Sequence, residues 1–419
     1  MPATTATVHI DSIRKAANKL KNVALRTPLQ PNQRLSGLFD CDIYLKREDL
    51  QIVRSYKIRG AYNKISSLSQ EELTKGIACA SAGNHAQGVA YACKTLNVKG
   101  RIYMPFVTPK QKIDQTKFFG QDCIEVELVG DTYDDSYEAA LQYSRDKGAT
   151  FVHPFDDFQT IAGQATVGLE IVEDGPKEID YIIVAIGGGG LASGVLSTLA
   201  HISPNTKLIG VEPTGAPAML QSIRQGELVT LKELDTFVDG AAVRRVGANT
   251  FEICKERLHK VITVPENHIC QTILDLYNRD AIVAEPAGAM AITALQYLKD
   301  ELKNKKVVCL VGGGNNDIVR MAEIKERALL FNQVKHYFIV RFPQRPGALR
   351  EFVAQILGPN DDITHFEFSK KSNREKAPAI VGVELASPED LQPLINRMKK
   401  GNFFGEYIND KPDLFQYLI

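Results

Sequence analysis

Up to about residue 330, short apolar runs alternate with longer amphipathic stretches. Runs at 42–46, 76–80, 101–104, 123–128, 180–186, 207–211, 260–264 and 306–311 are bounded by turn residues, which predicts strands. Between most of them apolar residues recur at helical spacing, and 84–96, 132–147, 191–201, 266–279 and 286–299 are predicted helices. Such alternation points to an α/β fold with an open, mostly parallel sheet in two lobes. After Leu330 the order changes. A strand at 336–342 precedes a helix that opens at Pro346-Gly347-Ala348-Leu349 and runs through Leu357; strands at 363–369 and 378–385 follow. A last helix begins after Ser387-Pro388-Glu389-Asp390, with Ser387 as its N-cap. The order β-α-β-β-α suits a small α+β sandwich of ferredoxin-like type. The expected organisation is therefore one domain over 1–330, with a smaller lobe at about 71–154 inserted in it, and a second over 331–419.

Composition narrows the function classes. Among 419 residues Lys+Arg and Asp+Glu both number 50, so no global charge draws in nucleic acid or an acidic membrane. No apolar run is long enough to span a bilayer, and Met1–Thr5 does not begin a charged-then-apolar secretory signal. Seven cysteines form no C-x-x-C pair, and Cys79, Cys93, Cys123 and Cys309 sit in apolar stretches where buried thiols are expected. The expectation is a soluble cytoplasmic protein. Its eight histidines are scattered without ligand spacing, and no metal site is expected.

Three places repeat one design of apolar strand followed by a glycine turn and a helix: Ser81-Ala82-Gly83-Asn84-His85, Gly187-Gly188-Gly189-Gly190-Leu191 and Gly312-Gly313-Gly314-Asn315-Asn316. Free backbone N–H groups at a helix N-terminus favour an anion. In an open parallel sheet such turns gather at the carboxyl ends of the strands, so three of them suit a ligand with a phosphate and a carboxylate. Lys57, in Ser55-Tyr56-Lys57-Ile58-Arg59-Gly60-Ala61, opens a predicted helix just after a strand. Cations there oppose the helix dipole, so Arg54, Lys57 and Arg59 need a reason to crowd together. An aromatic beside a lysine in such a turn suits a Schiff-base lysine. A nucleotide reading competes: Gly187-x-Gly189-x-x-Ala192 fits the relaxed dinucleotide fingerprint, with Glu212 at a following strand end as the ribose acid. That NAD-dependent oxidoreductase would leave Lys57 and the Ser81–Gly88 run unexplained.

Together with Ala284-Glu285-Pro286-Ala287-Gly288-Ala289 and Gly313-Gly314-Asn315, these motifs resemble the biosynthetic threonine dehydratases, fold-type II pyridoxal-phosphate enzymes of the tryptophan-synthase-β-like group. The likeness runs in order over essentially the whole chain. It implies that Lys57 carries pyridoxal 5′-phosphate with Tyr56 beside the ring, that Asn84 bonds the cofactor's 3′ oxygen, and that backbone N–H groups of Gly187, Gly188, Gly189, Gly190 and Leu191 hold its phosphate. The turn Ser81-Ala82-Gly83-Asn84-His85 would receive the substrate carboxylate, and the freed Lys57 amine would remove the α-proton. Ala82 stands where related serine racemases have a serine, which would favour elimination over racemisation. Gly312 stands where the family usually has a serine facing the pyridine nitrogen; activity is expected to survive, with an amino-acid sensor that has lost turnover as the alternative. Ala165 likewise replaces a usual glycine and reads as a packing change. Glu212 resembles one member of a cation site whose second carboxylate is missing near Ala218, and otherwise caps its strand end. Glu285 is either a pocket residue or an acid at the start of the Pro286 helix. His85 is expected to be structural. The tail at Phe342–Leu349 and Gly358–Thr364 resembles an ACT-like regulatory domain, implying isoleucine as feedback effector with valine as counter-effector, and a homotetramer or homodimer.

Overall fold

A computed structural model describes residues 7–369, 375–411 and 414–415; Met1–Thr5, where no secretory signal is expected, lie outside the described residues. Two compact units divide between Ile318 and Val319. In the first, a six-stranded sheet runs in the order Leu29–Pro31, Asp42–Arg47, Lys306–Val311, Tyr181–Ala185, Lys207–Pro213, Lys260–Val264. Only the Leu29–Pro31 edge is antiparallel; the other pairings are parallel. Its central strands are apolar at nearly every position because helices cover both faces. Ile182, Val184, Val308 and Leu310 pack with Ile161, Val195 and Leu199 from those helices in one core.

A smaller, wholly parallel sheet of Ile124–Leu128, Gly100–Met104, Ile77–Ala80 and Thr150–Phe151 forms the second lobe of this unit. Its core joins Cys79, Val89, Cys93, Ile102 and Phe119. The seven cysteines form no disulfide, and all but Cys123 are buried. Among the described residues no helix is long and apolar enough to cross a membrane.

The second unit carries the helix Met321–Phe331 and an antiparallel sheet ordered Asp362–Phe368, Lys376–Glu384, Lys335–Pro343, Phe404–Tyr407. The helices Ala348–Gln355 and Leu391–Lys400 bury Phe352, Leu394 and Met398 against Phe338 and Val340. The closing strand completes the β-α-β-β-α-β order of the ferredoxin-like type.

Several elements differ from expectation. The helix expected over 286–299 is two, Pro286–Thr293 and Leu295–Leu302. The Thr293 hydroxyl bonds back to the Ala289 carbonyl (3.1 Å) and to Thr272 (2.9 Å), a side-chain competition that bends helices. Ser387 does not cap the last helix: its hydroxyl bonds the Glu389 side chain, and a short 3-10 turn at Pro388–Asp390 intervenes. The third glycine turn is not directly at a helix start: a short 3-10 turn at Ile318–Arg320 precedes the helix Met321–Phe331. Gly314 N–H donates to the Arg54 carbonyl (2.9 Å) and the Asn315 amide to the Val53 carbonyl (2.9 Å), so the segment is tied to the Lys57 turn instead.

Candidate active site

Lys57 is the first residue of the helix Lys57–Ile65, and Tyr56 is its N-cap. The crowding of cations there has a structural cause. Arg59 is buried and bonds Glu48 (2.8 Å) and Glu170 (2.7 Å), while Lys46 joins Glu170 at 2.6 Å, so two cations and two carboxylates neutralise one another. Lys57 takes no part in that network. Its half-buried ammonium donates to the Pro154 carbonyl at 3.3 Å and lies 5.3 Å from the centre of the Tyr56 ring. Loss of hydration pushes its pKa down to about 8, against the opposing pull of Glu285.

Facing Lys57 is the turn between the strand Tyr181–Ala185 and the helix Gly190–Ile202. No protein acceptor meets the N–H groups of Gly187, Gly188, Gly189, Gly190 or Leu191 among the described residues. Glycine is required here: a Cβ on Gly188 would lie 2.2 Å from the Phe155 ring, and Gly189 has φ of +92°. The third wall joins distant segments. Asn84, first residue of the helix Asn84–Leu96, donates to Glu285 Oε1 (2.6 Å) and accepts from the Asn315 amide (2.6 Å). Burial and the charge of Asp239 push Glu285 up to about 7. The cavity so enclosed is lined by Tyr56, Lys57, Asn84, Gly187, Glu285 and Gly312 among others.

A family model described as pyridoxal-phosphate dependent enzyme matches residues 20–313. The chain belongs to this family. A second model, the C-terminal regulatory domain of threonine dehydratase, matches residues 326–418. The chain is 54% identical over 412 residues to the biosynthetic L-threonine dehydratase IlvA of Halalkalibacterium halodurans, covering 98% of this chain and 99% of the relative. The Bacillus subtilis protein of that name is 51% identical, with 98% of each chain covered. Among solved structures, the processed form of threonine deaminase isoform 2 from Solanum lycopersicum superposes with a TM-score of 0.72 at 40% identity, over 78% of this chain and 96% of that one. Maize serine racemase gives 0.71 at 30%, over 78% and 99%.

The residues suit the family's cofactor on their own chemistry. A lysine of depressed pKa is matched to an aldehyde, and five N–H groups without a protein acceptor, four of them on glycines, are matched to a phosphate. Of the Ser81–His85 turn, Asn84 reaches the cavity, and the Ser81 hydroxyl accepts from Gly83 N–H (3.2 Å). His85 is buried with Nε2 on the Val152 carbonyl (2.9 Å), and burial pushes its pKa down to about 3, so it is neutral at ordinary pH. Gly312 has room for a Cβ, whose neighbours would be the Tyr56 ring and Leu310 at 3.4 Å or more. Both readings of Glu285 hold at once: its backbone starts the Pro286 helix while its carboxylate faces the cavity. Glu212 is fully buried, accepting from Met219 (2.7 Å) and Leu220 (2.8 Å) N–H at the start of the Ala218–Gln225 helix, which leaves the nucleotide reading without its acid. Ala165 packs against Gly194 of the neighbouring helix. Phe155, Gly240, Ala287 and Asn315 also shape the site. Phe155 and Gly240 have no periodic or motif signal in a single chain; Ala287 and Asn315 lie in the quoted motifs, but the role of Asn315 as a partner of Asn84 needs the fold.

Proposed function

We propose that this chain deaminates L-threonine, and L-serine as the smaller substrate, by β-elimination to the 2-oxo acid and ammonia, 2-oxobutanoate in the case of threonine, as the first step towards isoleucine. The observation that carries the reading is that Lys57 and the unpartnered Gly187–Leu191 turn open on one cavity, in a chain that matches dehydratase relatives end to end. Lys57 is the covalent anchor of the cofactor, Tyr56 and Gly312 flank its ring, Asn84 bonds its 3′ oxygen, and N–H groups of Gly187, Gly188, Gly189, Gly190 and Leu191 hold its phosphate. Bound pyridoxal phosphate supplies an electron sink for the charge that develops at the substrate's α-carbon. The protein moves the protons. As a free side chain Lys57 Nζ has its pKa pushed down to about 8, so once the substrate amine has taken its place it would in part be a neutral amine at neutral pH and could accept the α-proton. The turn Ser81-Ala82-Gly83-Asn84-His85 receives the substrate carboxylate at a helix N-terminus. Ala82 offers no acid or base to the opposite face of the substrate, so elimination is favoured over racemisation. Threonine and serine differ by one methyl group, worth only about 1–3 kcal/mol in a pocket.

Residues 1–330 act as the catalytic domain, with 71–154 as its small lobe, and 331–419 as an ACT-like domain binding isoleucine as inhibitor and valine as counter-effector, in a cytoplasmic homotetramer or homodimer. The match of residues 326–418 to a regulatory domain supports the effector reading. The test is production of 2-oxobutanoate and ammonia from L-threonine by the purified protein and by Lys57→Ala. Turnover in the first and its loss in the second are expected. A wild-type protein that binds threonine without product would favour the sensor reading, and full turnover in Lys57→Ala would remove Lys57 from the chemistry.

A further inference from the structure

Four consecutive glycines leave the backbone of the Gly187–Leu191 turn little restricted by side chains. A glycine peptide can rotate by half a turn at little steric cost, and doing so reverses its N–H and C=O. In a trans peptide these two groups point in opposite directions, so whatever holds the carbonyl of Gly188 also aims the N–H of Gly189. The structure shows what holds it. The buried hydroxyl of Thr250 lies 2.6 Å from the Gly188 carbonyl oxygen, and Gly247 N–H approaches the same atom at 3.4 Å. Thr250 is in the first turn of the helix Ala248–Arg257, and that turn is tied down by one carboxylate. Asp156 accepts from the N–H groups of Ala248 (2.9 Å), Asn249 (2.9 Å) and Thr250 (3.2 Å). Asp156 belongs to the segment that supplies Phe155 against Gly188 and Pro154 to Lys57. His153 steadies this segment by accepting from Phe155 and Asp156 N–H.

We propose that Thr250, held in place by Asp156, is a positioning residue that locks the Gly188–Gly189 peptide with its N–H turned to the cavity. The inference rests on the reading of this turn as the phosphate site. Neither residue touches the cofactor in this account; both act through the orientation of one peptide.

The test separates the phosphate from the rest of the ligand. Full-length protein freed of cofactor is titrated with pyridoxal phosphate and, separately, with pyridoxal, which lacks the phosphate. Thr250→Val keeps the shape and removes the donor; it is expected to weaken pyridoxal phosphate on the order of tenfold and leave pyridoxal unchanged. Thr250→Ser restores the donor and is expected to bind both as wild type does. Asp156→Ala is expected to follow Thr250→Val, and Asp156→Asn, which can still cap, to stay closer to wild type. Unchanged affinity for pyridoxal phosphate in Thr250→Val overturns the inference. So does equal weakening of both ligands, or equal weakening by Val and Ser, since either marks a role in folding alone. A wild-type protein that binds pyridoxal as tightly as pyridoxal phosphate removes the phosphate reading of the turn, and the inference falls with it.

Discussion

Lys57 and Arg59 are two residues apart and have opposite fates. Arg59 is enclosed with Glu48, Glu170 and Lys46, so replacing it strands the buried carboxylate of Glu48 and removes one partner of the partly buried Glu170. Arg59→Met is expected to cost about 3–5 kcal/mol of stability, read from denaturant unfolding. Lys57 has no such obligation, and Lys57→Ala is expected to keep the fold while losing turnover. The same environment sets a pH dependence. The neutral amine is the reactive form, so turnover is expected to fall as pH drops through about 8, where Nζ takes up its proton. The negative charge of Glu285 raises the Lys57 pKa, so Glu285→Gln is expected to move the midpoint of that profile to lower pH; a shift upward or none contradicts the coupling. Gly312 has space for a Cβ, and Gly312→Ser is expected to leave thermal stability unchanged and to raise kcat by giving the ring nitrogen a partner. Lys57 and the glycine turns were legible in the sequence because each is a local motif. The Asn84–Glu285 and Asn84–Asn315 bonds were not, because they join residues 201 and 231 positions apart that only the fold brings together.

At the scale of elements, the helix bearing Lys57 is held at close range by the helix Phe158–Asp174. A Cβ on Gly163 would lie 2.4 Å from the Arg59 carbonyl, so the helices approach as backbone on backbone. Gly163→Ala is expected to force them apart, lowering stability by about 1–3 kcal/mol and the melting temperature with it; an unchanged melting temperature would mean the contact is looser than described. Alternation of strand and helix was readable wherever a buried strand was long enough to make an apolar run, as at Tyr181–Ala185 and Lys306–Val311. Leu29–Pro31 and Thr150–Phe151 are too short to leave one, and the strand Phe404–Tyr407 is only partly buried at every position. The interruption at Ala294 leaves no mark in the sequence because alanine and threonine carry no strong stop signal and Ala294 itself keeps helical dihedrals.

For the whole molecule, the parallel sheets and the antiparallel tail are separate units with separate cores, which suits a division between chemistry and control. If the tail is regulatory, isoleucine should lower the rate at subsaturating threonine, and valine should relieve it. By linkage threonine should in turn weaken isoleucine binding by the same factor. A rate and a substrate saturation curve indifferent to both amino acids would make the tail a structural element. The central claim is that Lys57 is the anchor of the cofactor. Borohydride reduction of the holoenzyme followed by peptide mass mapping tests it directly. The account predicts a reduced pyridoxyl adduct on the peptide carrying Lys57 and on no other lysine. An adduct elsewhere, or a fully active enzyme with none, would contradict it.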